Sequence, residues 1–132
     1  MGVIEMSLLI KKILQKIKEY ENKLQDSGWQ NLQFMNSYHS NDEQNPAQYR
    51  KIGNIVYLRG LVYNGGNANR NTAQLPTGFF NSSWINNCFF PVWFNGETGN
   101  CVQITNLGTI ISPRSMTNEQ WYSLDGISFP VN

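Results

Sequence analysis

The stretch Val3–Leu24, VIEMSLLIKKILQKIKEYENKL, places apolar side chains at regular heptad spacing. Alternating spacings of four and three residues over about three heptads are typical of a coiled-coil seam. Isoleucine at both core positions favours three or more strands over two, because its shape packs poorly in the dimer geometry. A lone helix with this face is marginal in water, so the stretch predicts association with sister chains. The predicted trimerisation residues are Val3, Met6, Ile10, Ile13, Ile17, Tyr20 and Leu24.

The same apolar stripe is open to two other interpretations. One is an amphipathic helix that packs on the β-domain of its own chain. The other is a helix lying on a membrane surface, which fits less well because lysine and glutamate are balanced here, whereas anionic lipid prefers a basic face. No apolar run is long enough to span a membrane, and Lys11-Lys12 follow too soon for a signal peptide. We predict no membrane insertion.

Charge is scarce outside the helix. The chain has 132 residues, a formal net charge of +1 and 14% charged residues. Lysine and glutamate crowd into the first 26 residues, and the remainder contains no basic patch, which argues against nucleic acid as a partner. The polar surface after residue 27 must therefore come from Asn, Gln, Ser and Thr, a composition suited to binding neutral polar ligands.

Short apolar runs separated by Gly and Asn turns follow residue 27. Gly53-Asn54 between two β-rich runs is a strong hairpin signal. The second run continues through Gly60 to Tyr63, and we interpret it as one strand covered on both faces. With no second helix, the pattern predicts a mainly β fold, an antiparallel β-sandwich or barrel head. The predicted division is a coiled-coil trimerisation stalk at 1–26 and a β-barrel head at 27–132.

A second hairpin bears on the two cysteines. Phe89–Phe94 and Cys101–Thr105 are predicted to pair across a turn at 95–99. That register sets Phe94 opposite Cys101 and leaves Cys88 far along the ladder, which argues against an intrachain disulfide. We expect two buried free thiols, consistent with assembly in a reducing cytoplasm.

The acidic residues, the histidine and the cysteines form no recognisable catalytic or metal-binding pattern in the sequence. Glycoside hydrolysis needs two carboxylates facing each other across a cleft, and most of the acidic residues after residue 27 stand in turn-like contexts. His39 has no recognisable nucleophile, and two cysteines with one histidine make no obvious zinc site. We predict no enzyme, no metal and no cofactor. The carboxylates weighed for catalysis are Asp42, Glu43, Glu97, Glu119 and Asp125.

Four motifs, in this order, are similar to those of a known class of proteins. They are the hairpin RKIGNIVYLRG at 50–60, the LPTGF corner at 75–79, VQI followed by GT at 102–109, and WYSLDGISF at 121–129. Over roughly residues 27–132 the chain resembles the head domains of phage tail-fibre and baseplate proteins, similar to lactococcal phage receptor-binding proteins. The resemblance implies a non-enzymatic homotrimer at the virion tail tip or baseplate, assembled in the host cytoplasm.

The resemblance also implies the partners: a host cell-wall polysaccharide or teichoic acid, and other baseplate or tail proteins. In related heads the saccharide pocket surrounds the hairpin that here runs from Trp93 to Arg114, with outward positions at Cys101, Gln103 and Ser112. A tryptophan face stacks on a sugar, amides and hydroxyls select its hydroxyl groups, and arginine suits a phosphate. The candidate ligand-binding residues are Trp93, Gln103, Ser112, Arg114 and His39.

The candidate residues and the function implied by the resemblance also have alternative interpretations. Trp84, Trp93 and Trp121 are the tryptophans expected nearest the surface, although the large area of each favours core packing over a role as a ligand platform. Arg114 could be an ordinary solvated arginine, and His39 a loop residue without a role. A structural connector of the baseplate or fibre, and a saccharide depolymerase, are the alternative functions.

Overall fold

The computed structural model describes residues 2–40 and 44–131. Within those ranges the chain has one helix and twelve strands, and all strand pairs are antiparallel, so the fold is mainly β as predicted. The elements are α1 Val3–Leu24, β1 Gln30–Asn31, β2 Gln33–Phe34, β3 Tyr38–Ser40, β4 Gln48–Ile52, β5 Ile55–Arg59, β6 Leu61–Asn64, β7 Asn71–Gln74, β8 Cys88–Phe94, β9 Glu97–Ile104, β10 Thr109–Ile111, β11 Trp121–Ser123 and β12 Ser128–Pro130.

Helix α1 has the predicted bounds, and none of its residues is buried. Its first turn is fastened by the backbone N–H of Gly2, which donates to the Glu5 carboxylate at 3.2 Å. The apolar stripe does not pack on the β-domain of its own chain, so that alternative interpretation is wrong. The helix is also not long and apolar enough to cross a membrane, and no other helix occurs in the described residues.

The helix joins the β-domain along strand β4. Asp26 bridges to Ile52, Ser27 N–H donates to the Lys51 carbonyl at 2.9 Å, and Lys51 N–H donates back to the Ser27 hydroxyl at 2.9 Å. The Asp26 carboxylate also accepts two N–H groups of Arg50, which forms an ion pair with it. The segment after the helix therefore lies along β4 before β1 pairs with the far end of that strand.

The strands form two sheets. One has the order β1-β4-β5-β12 and the other the order β2-β7-β10-β9-β8-β11-β6-β3. The edge strands of the larger sheet, β2 and β3, are consecutive and joined by residues 35–37, so this sheet is a nearly closed barrel. The core consists of the inward-facing side chains of both sheets, with Val56, Val62, Val102, Ile110 and Tyr122 fully buried.

Gly60 breaks the strand that the sequence predicted to run from Ile55 to Tyr63. It has φ +97°, and a Cβ there would lie 2.0 Å from the Pro46 carbonyl oxygen. The chain therefore changes partners at this point, from β4 and β12 in one sheet to β11 and β3 in the other. Within the single chain only one face is fully covered, because Val56, Leu58 and Val62 are buried whereas Tyr57 on the opposite face is 37% exposed. Cover of that second face by a neighbouring subunit stays a prediction.

Of the two predicted hairpin turns, one has the predicted length and the other does not. Gly53-Asn54 does form a two-residue turn, with Ile52 opposite Ile55 and Gly53 at φ +60°. The turn between β8 and β9 is shorter than predicted, because Asn95 (φ +46°) and Gly96 (φ +84°) close it alone, as in a type I′ turn. Cys101 consequently lies opposite Pro91 instead of Phe94.

Both cysteines are free thiols, as predicted, but their burial differs from the prediction. Cys101 is exposed on the outer face of β9, and Cys88 is half-buried. Burial raises the pKa of the Cys88 thiol.

Candidate functional site

Four loops gather at the end of the barrel that lies away from the helix. They are the turn at 36–37, the loop at 65–70, the turn at 95–96 and the loop at 113–120. Backbone bonds join them: Gly65 N–H donates to the Ser37 carbonyl at 2.9 Å, and Asn95 N–H donates to the Trp121 carbonyl at 2.8 Å. The turns at 53–54 and 105–108 lie at the other ends of the strands. We call the four loops the helix-distal loops.

A buried polar network holds two of the helix-distal loops. The Tyr38 hydroxyl donates to the Asn69 carbonyl at 2.8 Å, and the Ser112 hydroxyl donates to the Arg114 carbonyl at 2.9 Å. Arg70 adds N–H bonds to the carbonyls of Ser112 at 2.9 Å and Pro113 at 3.0 Å. Both loops are therefore fixed from inside the barrel before any ligand arrives, which lowers the entropy cost of binding.

Deeper in the barrel, the hydroxyl of Tyr122 donates to the Thr72 hydroxyl at 2.9 Å. Tyr122 is fully buried, and this burial raises the pKa of its phenol far above the ordinary range, although the hydrogen bond with Thr72 acts in the opposite direction. No buried side-chain nitrogen or oxygen in the described part of the chain lacks a hydrogen-bond partner.

Trp93 is the predicted site residue with the clearest surface role. It lies between the buried Val92 and Phe94 on β8, and its own side chain is 49% exposed on the outer face. The register with β9 shifts between Val92 and Phe94, so Thr98 and Gly99 share the position across from it. Gly99 itself has no side chain that could cover Trp93, and a Cβ there would meet open space.

Gln103 lies on the same outer face, near the other end of the hairpin. It pairs with Phe89 on β8 and Ile111 on β10, and its amide oxygen accepts an N–H from Asn87 at 3.2 Å. Three residue pairs along β9 separate it from the position of Trp93. The structure therefore places both side chains on one face without bringing them into one contact.

Ser112 was predicted to face outward, and this prediction is wrong. Ile110 points into the core opposite Ile104, Ile111 points outward beside Gln103, and Ser112 therefore turns inward again. Its side chain is fully buried and its hydroxyl lies 3.1 Å from that of Tyr38. Ser112 supports the helix-distal loops but does not reach a ligand.

Arg114 lies beside the tip of the β8–β9 hairpin. Its guanidinium is 3.2 Å from the Glu97 carboxylate and 4.3 Å from the centroid of the Phe94 ring. The ion pair is exposed, so it contributes little to stability and exchanges easily for another anion. The phenyl ring beneath keeps the guanidinium near the end of the barrel, close to the strand that carries Trp93.

His39 lies across the barrel end from Arg114, on strand β3 instead of in a loop. Its ring stacks on Tyr63 at 5.9 Å between centroids, and Tyr63 pairs in turn with Trp121. These three rings form a row on the outer face of neighbouring strands. No local pattern of residues indicated this row, because the pairing of β3 with β6 depends on contacts between distant segments.

Phe89 is a surface residue that the sequence did not single out, although it is 61% exposed on the face of Trp93. The alternation along β8 could have identified it, since Phe89, Pro91 and Trp93 all occupy the outward positions. Of the other tryptophans weighed, Trp84 packs against the core beside Phe129, and Trp121 is half-buried.

The acidic residues make no catalytic pair in the ranges 2–40 and 44–131. Glu97 is paired with Arg114, and Asp125 accepts an N–H from Gly60 at 2.8 Å on a different turn. No group of three or more His, Cys, Asp or Glu side chains among these residues could hold a metal ion. Asp42 and Glu43 lie outside the residues that the structure describes.

Comparisons with known proteins point to one structure. No family model and no curated protein matches the chain. Among solved structures, the chain is similar to the receptor binding protein (gp15) of Listeria phage PSA, with a TM-score of 0.67 and 20% sequence identity. The match covers 100% of this chain and 81% of that one. The chain therefore has the fold of a phage receptor-binding protein, an N-terminal helix followed by a β-barrel head, which confirms the resemblance at the level of fold.

Proposed function

We propose that the chain is a receptor-binding head of a phage tail, which attaches the virion to a host cell-wall polysaccharide or teichoic acid. The observation that carries the proposal is the arrangement of the two parts. A helix with an exposed apolar stripe leaves one end of a β-barrel, and fixed loops occupy the other end. The likeness to the Listeria phage protein, which extends over the whole chain, supports the same role.

In this proposal residues 1–26 form a coiled-coil stalk and residues 27–132 form the head. Three copies bury the seam residues of α1 against one another, which removes the exposed stripe from water. The trimer sits at the tail tip or baseplate, contacts other tail proteins, and carries out no catalysis. Three equal sites per particle raise the avidity, because a bound site keeps the other two at high effective concentration.

The proposed ligand site is the outer face of the β8–β9 hairpin with the adjoining helix-distal loops. Trp93 offers a ring face for a sugar, and Arg114 offers a guanidinium for a phosphate. Gln103 lies on the same face, on β9, and provides a polar contact farther from the ring. His39, on β3 across the barrel end, is reached only by a ligand that extends over the helix-distal loops.

The test is binding of the full chain to a panel of purified Gram-positive cell walls and teichoic acids. Trp93→Ala and Arg114→Ala should each weaken binding at least about tenfold, the factor expected when one stacking or charge-assisted contact is lost. Phe89→Ala is the matched control, since it removes a more exposed ring from the same strand and face. Binding that both site variants leave unchanged would refute the site.

One observation favours a second candidate function, that of a structural connector in the tail. Phe89 and Trp93 are both well exposed on one sheet face, and exposed apolar patches often mark protein interfaces. A connector would bind a tail protein instead of cell walls, and Phe89→Ala would weaken that binding as much as Trp93→Ala. The same two variants therefore separate the two functions.

A further inference from the structure

A polar surface pocket of about 230 Å³ lies where strand β5 passes into β6. It belongs to neither the hairpin face of Trp93 nor the helix-distal loops. Gly60 contributes backbone without a side chain to it, and Arg59 and Asp125 are its charged members. Its lining residues are Gln44, Asn45, Pro46, Arg59, Gly60 and Asp125.

Arg59 is held in place before any ligand binds. Its guanidinium lies 4.0 Å from the centroid of the Trp29 ring, and two of its nitrogens donate to the Gln48 amide oxygen at 3.0 and 2.7 Å. Both contacts fix the plane of the Arg59 guanidinium. The other terminal nitrogen of the guanidinium has no partner in the described part of the chain, so preorganised donors remain for a ligand.

The Asp125 side chain, which also lines the pocket, is likewise held in place before any ligand binds. One carboxylate oxygen accepts the Gly60 N–H at 2.8 Å, which fixes the side chain. Its second oxygen has no partner among residues 2–40 and 44–131, and Asp125 forms no ion pair with Arg59, although both line one pocket. The pocket therefore offers an acceptor and several donors that do not satisfy each other.

We propose that this pocket binds one sugar or polyol unit through paired hydroxyl groups. One hydroxyl group of such a unit can donate to the free oxygen of Asp125, and the adjacent hydroxyl group can accept from Arg59. A purely anionic ligand would pair only with Arg59, and a purely cationic ligand only with Asp125. The proposal rests on the proposed function for its ligand class. Asp125 follows β11 by two residues, and β11 is the neighbour of β8, the strand that carries Trp93. In this proposal the pocket holds a different unit of the polymer from the one that stacks on Trp93.

The test is NMR titration of the ¹⁵N-labelled full chain with glycerol, glucose, galactose, rhamnose and N-acetylglucosamine. At least one of these should shift the amide signals of Gly60 and Asp125 saturably. Asp125→Asn keeps an oxygen for the Gly60 N–H but removes the charge, and it should weaken that affinity about tenfold. Arg50→Ala is the control, because Arg50 also lies over Trp29, at 5.7 Å, but does not line the pocket; it should leave the affinity unchanged.

The possible results distinguish a failure of the pocket proposal from a failure of the proposed attachment function. Cell-wall binding through Trp93 with no saturable shift at Gly60, or equal affinity in Asp125→Asn, would overturn the pocket alone. Saturable shifts at Gly60 in a chain that binds no cell wall would support the pocket and count against the attachment function. Loss of cell-wall binding in Trp93→Ala with the Gly60 titration intact supports two separate subsites.

Discussion

The backbone N–H of Gly53 donates to the carbonyl oxygen of Gln25 at 2.7 Å, which fastens the β4–β5 turn to the end of helix α1. The two backbones are so close that a Cβ on Gly53 would lie 2.5 Å from the Lys23 carbonyl oxygen. Only glycine fits this turn, because it also has φ +60°.

The first prediction concerns this close approach. Gly53→Ala should lower the free energy of unfolding by ~1–2 kcal/mol for the left-handed backbone and by a further ~1–3 kcal/mol for the overlap with Lys23. Gly96→Ala is the matched control, since Gly96 also has positive φ but a Cβ there would meet open space. Urea unfolding measures both, and equal losses in the two variants would contradict the contact.

The second prediction concerns the helix seam. Ile10→Asp should convert a trimer to monomers at micromolar concentration, because the charge would be buried between helices. Leu8→Asp is the control: both side chains are 53% exposed in the single chain, but Leu8 lies off the seam. Sedimentation measures the mass, and circular dichroism should show the β-head intact in both. A wild-type monomer, or equal dissociation of both variants, would refute the stalk.

The third prediction concerns pH. The hydrogen bond from Arg50 lowers the pKa of Asp26 from its ordinary value of 3.8 to about 2. Because the pKa in the folded chain is depressed, the ion pair stabilises the fold above pH 4 and its contribution is lost as the pH falls from about 4 to 2. NMR titration should find the low midpoint in the wild type and a higher one in Arg50→Ala, still below 3.8 because the Gly28 N–H continues to donate to the Asp26 carboxylate. An ordinary midpoint in the wild type would show that the pair does not form.

The fourth prediction concerns the buried phenol. Tyr122→Phe leaves the Thr72 hydroxyl without its donor inside the core and should lower the free energy of unfolding by ~1–2 kcal/mol. Tyr57→Phe removes a hydroxyl from a partly exposed ring and should change it by less than ~0.5 kcal/mol. Thermal or urea unfolding compares the two, and similar values would mean that the buried bond adds nothing.

The fifth prediction concerns the thiols. Cys101 is exposed, whereas Cys88 is half-buried with a raised pKa, so Cys101 should react first with a thiol reagent at pH 8. Two kinetic phases of equal size are expected in the native chain. Cys101→Ser should abolish the fast phase only, and a single phase in the wild type would contradict the difference in burial.

Local signals in the sequence were sufficient for some elements. The helix was predictable because seven seam positions repeat over 22 residues, and the Gly53-Asn54 hairpin because a two-residue turn needs glycine at positive φ. The break at Gly60 was not predictable, because an apolar run does not reveal which sheet each half of it joins. Asn95-Gly96 carried the signal for a tight turn, but Gly99 made a longer turn look equally suitable.

The candidate site was predictable only where alternation along one strand decides exposure. Trp93 was expected near the surface because it stands close to a polar turn, and the alternation along β8 agrees with its observed exposure. Ser112 was misplaced because its position was taken from a resemblance and not from its alternation with Ile110. The Arg59–Asp125 pocket was invisible in the sequence, since 66 positions separate two residues that only the crossing of the sheets brings together.

The way the helix joins β4 determines how the head bears a load. Residues 26–31 lie lengthwise along that strand, from Ile52 to Gln48, so tension on the helix pulls parallel to the strands. The inter-strand bonds lie across the pull and resist it together in shear, instead of opening one after another like a zipper. In the proposed attachment role, tension on the helix would therefore be resisted without separating the β-domain from the helix.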